Sequence, residues 1–166
     1  NAEKSEGEKL MENCSRVIIE FEYSDGRVNL QPVDLEKETA SYSDGITNAV
    51  IRRSNADCGA NEYTITLFAI EQKPLNYVNI RFELDASFTA GDLRAFLNGW
   101  TTNEPVSVQN FIYLKNNSAH DICLMKNMDT NKVFEIAFTS AERFFTSIHV
   151  ESEKSRVSLR YIMEGK

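Results

Sequence analysis

His120-Asp121-Ile122-Cys123 places an imidazole, a carboxylate and a thiol within four residues, the most enzyme-like string in the chain. A Cys-His nucleophile needs the imidazole within hydrogen-bond reach of the sulfur. Along a strand, side chains alternate faces, and His120 and Cys123 differ by an odd number, so they point to opposite sides. The string therefore reads as the start of a strand, and no catalytic residue is assigned. An enzyme built on this chain would have to assemble its site from distant residues, with His120, Asp121 and Glu83 as the first to mutate. His149, the other histidine, falls at the end of an expected helix, where a cation complements the helix dipole.

Metal and cofactor chemistry find no motif. Zinc requires three or four nitrogen, sulfur or oxygen ligands held close together, and two histidines with three dispersed cysteines do not supply that spacing. No glycine-rich phosphate loop, EF-hand, His-Glu-x-x-His or Gly-x-Ser-x-Gly string occurs. No cofactor is expected. Glu20 with Glu22, and Glu83 with Asp85, share strand faces at a spacing of roughly 6–7 Å. A glycosidase could use such a pair, but alternation alone puts acids on a solvent face. Asn13-Cys14-Ser15 and Asn116-Asn117-Ser118 match the glycosylation triplet, which matters only in a eukaryotic secretory setting.

Cys14, Cys58 and Cys123 are too widely spaced for a redox Cys-x-x-Cys pair. In an oxidising compartment Cys14 and Cys58 are the candidates for one disulfide, with Cys123 a buried thiol in an apolar strand. In a cytoplasmic protein all three would be buried thiols.

The elements that must position these residues follow from periodicity. Glu3 to Asn13 is charged and aperiodic, so residues 1–13 read as a tail and residues 14–166 as a single globular domain. Asn1-Ala2 has the look of a tag scar, which points to a trimmed leader and an exported protein, periplasmic or cell-surface. Nine strands are expected. Arg16–Tyr23 alternates Val17, Ile19, Phe21 and Tyr23 against Glu20 and Glu22, and Asp25-Gly26 then turns the chain into Arg27–Gln31. Tyr-Ser-Asp-Gly recurs at Tyr42–Gly45, consistent with a second turn. Asp34–Ser43 reads as a polar loop, and Ile46–Arg53 as a strand. Tyr63–Ile70 is apolar on both faces, as a central strand would be. Asn76–Asp85 has the cleanest alternation. Val106–Leu114, Ala119–Met128, Lys132–Phe138 and Arg156–Met163 complete the set.

Two segments change period. Leu93, Phe96, Leu97 and Trp100 fall at i, i+3, i+4 and i+7, as do Ala141, Phe144, Phe145 and Ile148. Each follows a capping residue, so helices are expected over about 90–99 and 140–149. The fold class is therefore α+β and strand-rich: an antiparallel sheet or a small barrel of about nine strands, with two short helices packed on it.

Composition bounds the partner. The chain has 166 residues, is 42% hydrophobic and 26% charged, and carries a formal net charge of −7. That sign excludes nucleic acid, whose phosphates need a basic stripe, and disfavours an anionic membrane surface. No apolar run approaches the length of a membrane helix. A basic protein partner would be attracted. Asp34, Glu36, Glu38 and Asp44 are the acidic contact candidates. Phe111 and Tyr113 lie opposite Ile112 and Leu114 on an expected strand, and are either an exposed aromatic contact or the floor beneath the helices. The functional expectation is a non-enzymatic binding protein, such as an inhibitor or immunity-type protein acting on another protein. Two alternatives are a carrier with a pocket for a small apolar ligand and an enzyme with a dispersed site.

Overall fold

Alternation builds the centre of the molecule. The computed structural model describes residues 12–55, 59–98, 107–115, 117–119, 121–139 and 145–162. In β1 (Cys14–Tyr23) and β6 (Leu75–Leu84), the alternate residues Val17, Ile19, Phe21, Val78, Ile80 and Phe82 are all buried. The two strands pair antiparallel over nearly their full length, Ile19 opposite Ile80 and Phe21 opposite Val78. β2 (Val28–Pro32) folds back on β1 through Asp25-Gly26, with Gly26 in the left-handed region at φ 89°. Only glycine takes that angle without a Cβ penalty.

The remaining strands are β3 (Thr39–Ser43), β4 (Thr47–Asn55), β5 (Asn61–Ala69), β7 (Leu93–Leu97), β8 (Ser107–Asn110), β9 (Asn117–Ala119), β10 (Ile122–Asn127), β11 (Val133–Ala137), β12 (Phe145–Glu151) and β13 (Arg156–Ile162). They form three sheets in the orders β2-β1-β6-β13-β12-β9, β11-β10-β7-β8 and β3-β4-β5, and each described pairing is antiparallel. The sheets are open, so the barrel alternative is corrected.

One core cluster takes residues from all three sheets. Phe134 of β11 meets Phe82 of β6 edge-on at 5.8 Å and lies 6.5 Å from Phe88. Phe138 meets Tyr161 of β13 at 5.4 Å. Each of the buried rings, Phe82, Phe88 and Phe134, contributes roughly 1.5–3 kcal/mol by leaving water. Asn13, the last residue of the expected tail, is buried, and its side-chain amide donates to the carbonyl of Val133 at 2.9 Å.

Neither expected helix forms where the periodicity put it. Among the described residues the α-helix is the single turn α1 (Ala86–Thr89). Leu93–Leu97 is a strand with Leu93, Ala95 and Leu97 buried and Arg94 exposed. The same residues satisfy a period of two as well as one of 3.6, because Ala95 is also apolar. Gly91, at φ 83°, turns the chain here, and a methyl group on it would run into the Asp129 carboxylate. The next residue, Asp92, offers its amide to that carboxylate at 3.0 Å. Phe145–Glu151 is likewise a strand, with Thr146, Ile148 and Val150 buried. These three are β-branched and suit a pleated surface. Trp100 and residues 140–144 lie outside the described residues.

Thirteen strands thus replace nine among the described residues. β3 emerges from the segment read as a polar loop, and Ala119–Met128 divides into β9 and β10 as the chain passes from the six-stranded to the four-stranded sheet. β5, expected in the centre, lies at an edge. Asn127, fully buried, ties the end of β10 to the helix: its amide donates to the carbonyls of Phe88 and Ala90 at 2.8 and 2.7 Å, and its oxygen accepts from the amides of Asp129 and Thr130. Every polar atom of that side chain has a partner, as burial requires.

Candidate functional site

The strand pairings that put Val17, Ile19 and Phe21 into the core put Arg16, Ile18, Glu20 and Glu22 on the opposite face of the six-stranded sheet. Register extends that outer face across the neighbouring strands in four rows. The first runs Arg16, Glu83, Arg156, Glu151. The second runs Pro32, Ile18, Arg81, Ser158, His149, Ser118. The third runs Leu30, Glu20, Asn79, Arg160, Ser147, and the fourth Val28, Glu22, Tyr77, Ile162, Phe145.

The first row is a ladder of alternating sign. Arg16 donates to Glu83 at 3.2 and 3.0 Å, and Arg156 donates to both oxygens of Glu151 at 3.2 and 3.1 Å. Burial pushes the Glu151 carboxyl up, but the bonds from Lys154 and Arg156 outweigh it and hold the group below its ordinary range. Behind this ladder Glu20 is buried and accepts from Asn79 at 2.8 Å and from Arg81. Arg160 donates its Nε to Asn79 at 2.9 Å and stacks 4.2 Å above the ring of Tyr77. Glu20, Asn79 and Arg160 are therefore one connected unit spanning three strands.

Ser147 and His149 also meet on this face, with Oγ and Nε2 2.8 Å apart. The pair has the composition of a nucleophile and its base. Ser147 is only 1% exposed, however, so its hydroxyl is closed to a substrate. Burial, then the neighbouring Arg160, pushes the His149 imidazole below its ordinary value, against the pull of Glu151. Such a histidine stays neutral at neutral pH, and the pair serves to fill the face. The expected role of His149 at a helix end is corrected, since it lies inside β12.

The fourth row changes character. Phe145 is 59% exposed, Val28 44%, and Leu30 in the adjacent row 53%. They form two apolar patches on either side of Glu22: Val28 and Leu30 on β2, and Phe145 with half-buried Tyr77 and Ile162 bordering the Arg160 unit. Across its rows the outer face therefore passes from paired charges to a mostly apolar row that contains one charge, Glu22. The signal was present in the sequence as Phe145-x-Ser147-x-His149-x-Glu151 and Tyr77-x-Asn79-x-Arg81-x-Glu83, two alternating faces whose adjacency depends on strand order.

The residues singled out from sequence are scattered. Asp34 accepts from the amide of Glu36 at 2.9 Å, and Glu38 is exposed just before β3. Asp44 is committed inside the protein, where it accepts from Tyr23, Asn29 and the amides of Ile46 and Thr47. Phe111 is buried and Tyr113 exposed, because Phe111–Tyr113 forms a 3-10 turn rather than a strand. In such a turn residues three apart eclipse, so Phe111 and Leu114 go inward together and Ile112 and Tyr113 outward. Glu83 belongs to the six-stranded sheet, whereas Asp121 precedes β10 of the four-stranded sheet and gives its amide to Asn98 at 3.1 Å. His120 and Cys58 lie outside the described residues. Cys14 and Cys123 are buried thiols, both pushed up to about 12, by burial in each case and for Cys14 also by the charge of Asp85. Thiols held that far above neutrality are poor nucleophiles. Among the described residues no cluster of His, Cys, Asp or Glu could hold a metal ion, and no helix is long and apolar enough to cross a membrane. Comparison with protein-family models, with curated proteins and with solved structures finds no match.

Proposed function

We propose that the protein is a non-enzymatic binding domain that engages another protein through the outer face of its six-stranded sheet, as an inhibitor or immunity-type protein would. The observation that carries this reading is the apolar patch of Tyr77, Ile162 and exposed Phe145 beside Arg160, with exposed Val28 and Leu30 beyond Glu22. Interface centres are enriched in aromatic residues and arginine. Arg160 is held in place by Asn79 and Tyr77, so little side-chain freedom is lost on docking. Its Nη atoms make no hydrogen bond with a described residue, which suits a carboxylate or carbonyl on the partner. The net charge of −7 would steer a basic partner toward the molecule, with Glu38 among the exposed acids that contribute to the field.

A photo-crosslinking phenylalanine placed at Phe145 should capture one protein in cells of the source organism, and the same probe at Val108, on another sheet, should not. Arg160→Ala should weaken that capture by roughly tenfold or more, as loss of a hot spot does. Equal labelling from both positions, or none from Phe145, would sink the assignment.

A further inference from the structure

A second surface differs in kind. Edge strands expose unpaired backbone groups and are usually kept short or charged. In this protein the other described edges follow that rule: β2, β3 and β11 have 5 residues each, β8 has 4 and β9 has 3. β5 has 9, and from Tyr63 to its end at Ala69 it contains neither a charge nor a proline.

The ladder fixes which of its groups are free. Ile70 donates its amide to Ile46, and Arg53 of β4 donates to Glu38 on the β3 side. Hydrogen-bonded and non-bonded pairs alternate along an antiparallel ladder. With Asn48 opposite Phe68 and Arg52 opposite Thr64, the amides and carbonyls of Thr64, Thr66 and Phe68 face β4. Those of Tyr63, Ile65 and Leu67 therefore face outward, away from the sheet. The side chains of these same three residues are only half-buried on the core side, and Phe68 and Ile70 are exposed on the other. Among the described residues the core is thus left open along this edge.

We propose that β5 pairs with β5 of a second copy of this chain, antiparallel about a two-fold axis at Ile65. That register matches Ile65 with Ile65, Tyr63 with Leu67 and Thr64 with Thr66, and sets Glu62 against Phe68. Faces are preserved, because the paired numbers share parity. The outward amide and carbonyl of Ile65 meet their own symmetry mates, and apolar side chains cover apolar side chains. Self-complementarity selects this occupant: net charge −7 sets two copies of the chain against each other on average, but in this register Tyr63 to Ile70 meet residues 60–67 with no like charges opposed. The pairing is isologous and closes at two. It uses a different sheet from the proposed partner face, so each can fail without the other.

Sedimentation velocity across a concentration series should show a monomer–dimer equilibrium, with no larger species. Hydrogen exchange should show the amides of Tyr63, Ile65 and Leu67 gaining protection as concentration rises, while those of Thr64, Thr66 and Phe68 are protected throughout. Thr64→Lys with Thr66→Lys places like charges across the axis at two exposed positions and should weaken the dimer by roughly tenfold or more. Thr64→Glu with Thr66→Glu should do the same, and mixing the two variants should restore a one-to-one dimer. A monomer at every concentration overturns the proposal, as does a dimer indifferent to these charges, an open series of larger species, or protection confined to the β4-facing amides.

Discussion

At Tyr23–Gly26 and at Tyr42–Gly45 the same four residues turn the chain, with the glycines at φ 89° and 86°. The first turn stays at the surface. Asp25 accepts the amide of Arg27 at 3.0 Å and pairs with Lys73 at 2.6 Å. The second is drawn into the protein. Asp44 takes the amides of Ile46 and Thr47 on one oxygen, at 2.9 and 2.8 Å, and on the other the Tyr23 hydroxyl and Asn29. The tyrosine of the first copy is thus held by the aspartate of the second, which joins the three-stranded sheet to the six-stranded one. Identical local sequence yields the same backbone bend, while the surroundings decide whether the carboxylate is a surface charge or a tie between sheets.

Asp44→Ala should show the largest effect, since it strips two turn amides and leaves Tyr23 and Asn29 without their acceptor. A loss of about 2–4 kcal/mol is expected from the urea midpoint at neutral pH. Acid should reveal the same tie. Burial pushes the Asp44 carboxyl up, but the bonds from Thr47, Tyr23, Asn29 and Ile46 outweigh it and hold the folded group below its ordinary value. The unfolded chain therefore takes up this proton first as pH falls. The stabilisation is whole above the unfolded value of about 4 and is lost as pH drops through the lower folded value. Urea midpoints of wild type and Asp44→Asn should accordingly converge toward low pH; a constant gap would break the comparison.

Tyr23→Phe keeps the buried ring and removes only the hydroxyl that bonds Asp44 and, at 2.9 Å, Thr47. A smaller loss of about 1–2 kcal/mol is expected, together with a rise of the Asp44 pKa readable by carboxyl NMR titration. Gly26→Ala and Gly45→Ala should cost about 1 kcal/mol each, and equally, because a Cβ at either site meets nothing and only the backbone angle is strained. Unequal losses would mean that the two bends are not alike. Asp25→Ala should move the midpoint least in salt, since its ion pair is solvent-screened and water can take its place on the exposed Arg27 amide.

Asp25-Gly26 and Asp44-Gly45 were legible as turns because the requirement for a positive φ is local. So were β1, β6, β10, β11 and β13, where alternation admits one reading. Leu93–Leu97 and Phe145–Glu151 were misread because each satisfies both periods, and only the sheets beside them remove the ambiguity. β12 is a strand because β13 and β9 flank it, residue against residue. The candidate face was illegible for a related reason. Each strand displays its polar row, but Arg160 meets Asn79 across 81 positions of sequence. No window of sequence contains that pairing.

Sequence by itself determined the strand-rich class, the turns, the acidic charge and which residues of each strand travel together, since these follow from steric limits on φ and from a side-chain period of two. Tertiary structure alone decided the number of sheets, the conversion of both expected helices to strands, the placing of β5 at an edge, and which of two identical aspartates binds the sheets together. Those outcomes depend on hydrogen bonds and burial between distant segments, and their energies exist only once the chain has brought the segments into contact.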